Sequence, residues 1–151
     1  QHSLLVENIF SRRFPKTDNK SKLFALLHDS AEYVISDMIS PLKAHLGTTY
    51  EALDEKLTMA ICIRFNIPIT KIKIIKRQVK IADKMAAWLE AIQLAGFSKQ
   101  EADSLFGKQV GVESFEEYLS PDTPFFVRKK FVNRFNELYN QSDERIISDD
   151  N

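Results

Sequence analysis

The sequence predicts an all-α fold, and three observations carry that expectation. Only four glycines and five prolines occur in 151 residues, too few for the turns of an all-β chain of this length. Apolar residues recur at helical spacing in most segments between those breakers. The one stretch that alternates like a strand, Ile69-Thr70-Lys71-Ile72-Lys73-Ile74, has no second strand candidate to pair with. The expected architecture is a bundle of about six to seven helices. It forms a single domain over residues 1–141, with a polar, frayed tail over residues 142–151.

His2, Leu5, Val6 and Ile9 share one face of a first helix that is already under way at Gln1. A histidine opening that face with no N-cap before it suggests that native residues upstream are missing. Arg12, Arg13 and Pro15 lead into a polar turn, Lys16-Thr17-Asp18-Asn19-Lys20. The central helix is expected to follow and to end near Asp37, with Leu23, Phe24, Leu27, Ala31 and Ile35 as its core stripe. Ser40-Pro41 then starts a short helix holding Leu42 to Leu46, and Gly47 ends it. Thr48 or Thr49 is expected to cap the next helix, which has Glu51 in its first turn. Its period runs through Leu53, Leu57, Ala60 or Ile61, and Arg64 or Phe65, to Asn66.

Pro68 starts the longest helix, striped by Ile72, Ile75, Val79, Ala82, Ala86, Leu89 and Ile92 or Gln93, and Gly96 ends it. Ser98 caps a short helix through Leu105. Residues 107–122 read as a connector with an aromatic-acidic patch, Phe115-Glu116-Glu117-Tyr118. The last helix is expected from Pro124 to Asn140, facing inward with Phe125, Val127 or Arg128, Phe131, Phe135 and Leu138.

Bulk properties narrow the function. A formal net charge of zero gives no global signal for nucleic acid or an anionic membrane. Lys71, Lys73, Lys76, Arg77 and Lys80 cluster, but without interleaved aromatics they read as a solvated helix face. No apolar run approaches the ~20 residues of a membrane span, and no signal peptide is visible. The single cysteine, Cys62, lies among Met59, Ala60, Ile61 and Ile63 and reads as buried filler. One cysteine is compatible with a reducing cytoplasm, the expected location.

The informative stretch is residues 25–43, where His28-Asp29 interrupts an apolar run. On a helix His28 and Glu32 would project side by side, with Asp29 close enough to share an ion with His28. A lone histidine in an apolar stripe is commonly a hydrogen-bonded core residue. The word His-Asp-x-x-Glu, followed by Ser36-Asp37 and Pro41-x-Lys43, is rarer and points to a metal site. Asp83 adjoins the stripe of the long helix, flanked by Ile81, Ala82, Met85 and Ala86. It reads either as a functional carboxylate or as an edge charge paired with Lys80 or Lys84.

Collected together, His2, His28-Asp29 and Asp83 resemble the signature of HD-domain phosphohydrolases. That signature is a histidine on one helix, an adjacent His-Asp on a second, and a distant aspartate on a later helix. The resemblance runs from His2 to about Ala91 and is most like the bacterial 5′-deoxynucleotidases. In those proteins the His-Asp is followed at the same spacing by a Glu, an Asp and a Pro-x-Lys, here Glu32, Asp37 and Pro41 with Lys43. The resemblance implies that His2, His28, Asp29 and Asp83 hold one divalent metal, of which Mn, Co, Ni, Fe and Zn all suit the donors. It implies that Glu32 orients or deprotonates the attacking water, and that Asp37 faces a sugar hydroxyl or assists the leaving oxygen. Lys43 would contribute positive charge near the phosphate.

The implied activity is hydrolysis of nucleoside 5′-monophosphates, deoxyribonucleotides among them, or of similar small phosphate esters. The implied assembly is a homodimer, and neither a nucleic acid polymer nor a membrane is an expected partner. The alternative is a non-catalytic metal- and nucleotide-binding module. Three departures stand out. Ser36 replaces the family's glycine, Tyr33 breaks the Glu-Asp pair of the guanosine-tetraphosphate hydrolases, and three histidines are too few for the two-metal branch. His45 lies past the motif and reads as a surface residue.

Overall fold

The computed structural model describes residues 1–111 and 119–148, and the side chains of all of these except residues 40 and 142–148. Helix α1 (His2–Arg13) turns Leu5, Val6, Ile9 and Phe10 inward. It packs on α2 (Asn19–Leu26) and on the apolar face of α6 (Ile72–Gln93). Asp18 caps α2 by accepting a hydrogen bond from the Ser21 amide at 2.8 Å. Leu23, Phe24, Ala25 and Leu26 then close over the α1 side chains. From α6 come Ile75, Val79, Ala82, Met85, Ala86 and Leu89, the stripe expected from its period. Each large side chain fully buried here contributes about 1.5–3 kcal/mol.

Two outer helices complete this core. α7 (Lys99–Phe106) rests on α6, and α8 (Pro124–Ser148) rests on α2. α7 opens with a capping box in which Ser98 and Glu101 satisfy each other's backbone amides. A buried ion pair ties α8 to α1. Glu7, only 3% exposed, accepts from Arg134 Nε at 2.9 Å and Nη2 at 2.8 Å, and from Ser11 Oγ at 2.6 Å.

Among the described residues there are eight α-helices and no strand, so the all-α expectation holds with one helix more than six or seven. The extra one comes from the central helix, which does not run from the polar turn to Asp37. It stops at Leu26, passes through a turn over residues 27–31, and resumes as the single turn α3 (Glu32–Ile35). The amides of Ser30, Glu32, Tyr33 and Val34 reach back three residues, tightening this stretch into 3₁₀-like turns. The chain then reverses at Ser36, with φ 64° and ψ 155°.

α4 (Ser40–Leu46) follows as expected with Pro41 in its first turn. α5 (Thr48–Arg64) starts at once, because Gly47 at φ 55° both ends α4 and admits α5. No threonine side chain caps it. Its buried residues are Tyr50, Thr58 and Cys62, while Leu53 is exposed. A 3₁₀ turn, Ile69–Lys71, precedes α6, so the strand-like alternation there is helical.

α8 continues beyond Asn140 to Ser148, into the segment expected as a frayed tail, and residues 149–151 lie outside the described residues. Its inward face is Leu138 with Phe131 and Phe135, while Phe125 is turned to solvent. The aromatic-acidic patch of residues 115–118 lies outside the described residues. No helix among them is long and apolar enough to cross a membrane.

Candidate metal centre

The packing of α1, α2 and α6 brings residues distant in sequence to one point. His2 sits at the start of α1, His28 and Asp29 in the turn after α2, and Asp83 and Glu90 two turns apart on α6. The break after α2 has a local cause. His28 Nδ1 donates to the Ala25 carbonyl at 2.9 Å, the oxygen that the Asp29 amide would take if the helix continued. A carbonyl can only accept, so Nδ1 carries a proton, and in the neutral ring the lone pair is on Nε2. The His28 side chain is 9% exposed, and its Nε2 is buried with no hydrogen-bond partner among the described residues. Asp29 Oδ2 lies 3.0 Å from that nitrogen but outside hydrogen-bonding geometry.

His2 is oriented the same way. Its Nδ1 bonds Glu90 Oε2 at 2.8 Å, which leaves Nε2 facing Asp83 Oδ1 at 3.3 Å and Asp29 Oδ2 at 3.8 Å. The two imidazoles lie 5.5 Å apart between centroids. One donor atom each from His2, His28 and Asp29 fall within 4.8 Å of one another, so these three could hold a metal ion. A buried lone pair without a partner is costly in a protein interior. Metal-ligating histidines commonly have the other ring nitrogen fixed by a carbonyl or a carboxylate, as both rings do here. The donors fit a divalent transition metal.

The electrostatics favour a cation at this point. Burial works against a charged His2, but its hydrogen bonds to Asp83 and Glu90 and the charges of Glu90 and Asp29 outweigh it, raising its pKa to about 10. Burial would also raise Asp29, yet the neighbouring His28 and His2 hold it below the usual carboxylate range. Asp83 is held well below that range despite burial, by His2 and by Lys80. Asp83 does make the edge pair with Lys80 that the sequence allows, and it also faces the cluster. One oxygen faces His2, and the other pairs with Lys80 at 2.7 Å. Asp83 stands at the edge of the three-residue group rather than inside it.

A cavity of about 500 Å³ opens beside this cluster. Its walls include His28, Asp29, Glu32, Lys43 and Asp83, together with Tyr50, Asp54 and Thr58 of α5. Glu32 Oε1 accepts from Lys43 Nζ at 3.0 Å. Burial opposes the Lys43 charge, but Glu32, Tyr50 and Asp37 outweigh it and raise its pKa. Asp37 is not on the cavity wall. Its side chain is 83% exposed and 4.0 Å from Lys43, because the Ser36 reversal carries it outward. His45 is exposed, as expected of a surface residue.

No family model matches the chain. It is 51% identical over 108 residues to an uncharacterised protein of Rhodobacter capsulatus. The aligned stretch is 72% of this chain and 55% of that protein, so the chain spans about half the length of the relative it matches. That likeness brings no activity with it.

Two features of the site were not foreseen from the sequence. Glu90 was unremarkable there, although its spacing of seven from Asp83 places both on one helix face. Lys76, Arg77 and Lys80 read from the sequence as a solvated face; Arg77 and Lys80 are indeed exposed, and all three also border the cavity.

Proposed function

We propose that the chain is a metal-dependent phosphomonoesterase of the HD type, acting on nucleoside 5′-monophosphates or similar small phosphate esters. The observation that carries this reading is the buried Nε2 of His28, which has no hydrogen-bond partner among the described residues and converges with His2 and Asp29 beside a cavity of mononucleotide size. The order of the group along the chain, with Asp83 on a later helix, matches the signature that the sequence resembles. When bound, a divalent metal such as Mn, Co, Ni, Fe or Zn would neutralise phosphate charge and lower the pKa of a water.

The chain's own residues supply the rest. Glu32 is the carboxylate placed to take a proton from the attacking water, and Lys43 holds it in one orientation. The water oxygen bonds to phosphorus as the ester P–O bond breaks. The alcohol leaves with a proton drawn from solvent, since Asp37 stands outside the cavity. Lys43 and Lys80 place positive charge along the wall that receives the phosphate.

The test is phosphate release by the full chain with Mn, Co or Mg. The substrates are deoxyribonucleotide, ribonucleotide and non-nucleotide monophosphates. Turnover that falls about 10²-fold or more in Glu32→Gln, and is lost in Asp29→Ala, supports the reading. The Glu32–Lys43 pair favours a second one, a metal- and nucleotide-binding module without turnover, because it already occupies the expected base. Nucleotide binding with no phosphate release across the metals would establish that module and end the enzymatic reading.

A further inference from the structure

We infer that the cavity takes a bisphosphate, with a second anionic subsite formed by Lys76 and Arg77. This rests on the phosphomonoesterase reading and names its substrate class. The cavity carries four cations and four carboxylates, but they are not evenly matched in space. Lys43 pairs with Glu32 at 3.0 Å and Lys80 with Asp83 at 2.7 Å. Among the described residues no carboxylate lies within ion-pairing distance of Lys76 or Arg77, and Asp54, on the same wall, pairs with neither.

Position on α6 separates these two from the metal-binding end. Residues 76, 80 and 83 follow i, i+4, i+7 spacing, so they line one helix face with Val79 between them. At a rise of about 1.5 Å per residue, Arg77 lies about 9 Å along the axis from Asp83, and Lys76 slightly farther. That distance is nearly two helical turns. A ligand whose reacting phosphate sits beside His28 and Asp29 would leave the Lys76–Arg77 end unmatched unless it carried a second anion across a spacer. A sugar or a ribose bearing a phosphate on each side has that form. Arg77 adds a planar fork suited to two phosphate oxygens, and Lys76 adds a point charge. The shared chemistry is a small bisphosphate, either a nucleoside 3′,5′-bisphosphate or a sugar bisphosphate.

The experiment compares kcat/KM for phosphate release from matched pairs, using the full chain with its activating metal. One pair is adenosine 3′,5′-bisphosphate and adenosine 5′-monophosphate, and the other is fructose 1,6-bisphosphate and fructose 6-phosphate. The preferred pair tells the nucleoside source from the sugar source. Wild type is expected to favour one bisphosphate over its monophosphate by about tenfold, the worth of one charge-assisted hydrogen bond at an accessible site. That preference should collapse in Lys76→Ala/Arg77→Ala, with the change in KM. A wild type without preference, or a parallel fall for both members of a pair, overturns the subsite while leaving the phosphomonoesterase intact. If wild type hydrolyses none of the four, the deoxyribonucleotides of the phosphate-release test decide the phosphomonoesterase reading. The subsite is then read by calorimetric binding of the same pairs, where equal affinity for bisphosphate and monophosphate overturns it.

Discussion

Glu90 touches no expected ligand position except through His2, which makes it a sharp test of whether that imidazole is held for a metal. Its carboxylate meets His2 Nδ1 at 2.8 Å and is about one-quarter exposed. Glu90→Gln keeps an oxygen acceptor for the ring N–H and removes the charge, whereas Glu90→Ala removes both. Loss of such a supporting partner costs about 10–100-fold in metal affinity, or roughly 1.4–2.7 kcal/mol. Partial exposure puts Glu90→Gln near the tenfold end and Glu90→Ala near the hundredfold end. Competitive titration of chelator-stripped protein with Mn and Zn reads both values, and circular dichroism shows that the helices persist. If both variants bound metal as tightly as wild type, the orientation of His2 by Glu90 would have no bearing on a metal site.

Arg134→Ala leaves Glu7 buried with, among the described residues, Ser11 alone as side-chain partner, and breaking a buried pair costs about 3–5 kcal/mol. Because Arg134 is partly exposed, the lower end is expected, a fall of roughly 6–12 °C in Tm by calorimetry. The double variant Glu7→Gln/Arg134→Met should recover part of it. Asp18→Ala should lose about 1 kcal/mol in urea unfolding through the cap on α2, while Asp18→Asn keeps the cap.

The pH dependence of Asp18 has a defined sign. Burial would raise this carboxyl, but hydrogen bonds from Ser21 and Lys71 outweigh it and hold its pKa below the ordinary 3.8. Its contribution is therefore present above that value and fades as pH falls below it, so Asp18→Asn should flatten the acid limb of stability there. Ser36→Gly relieves a backbone region that glycine alone enters freely and should raise stability by about 1 kcal/mol in the same assay.

The fold was largely legible because most of its helices are announced locally. The stripe of α6, the Ser98 cap and the Pro41 start all follow from spacing and caps. The break after Leu26 was hidden for a physical reason. Residues 23–35 keep helical periodicity, and what ends the helix is a side chain, His28, taking a backbone carbonyl. His2, His28 and Asp29 were legible as a group only through the resemblance, since nothing local to α1 tells a ligand from a core histidine. Asp37 was misplaced because the Ser36 reversal, not helical phase, decides where it points. Glu90 and the Lys76–Arg77 wall depend on how α6 meets α1 and the α2 turn, which a single helix pattern does not encode.

The account turns on His28 Nε2 being held as a metal ligand. Calorimetric titration of chelator-stripped full chain with Co or Mn, beside His28→Ala and His28→Gln, tests that most directly. The expected result is one equivalent bound by wild type and none in the same range by either variant. One equivalent bound with unchanged affinity by both variants, or no binding by folded wild type, would contradict it.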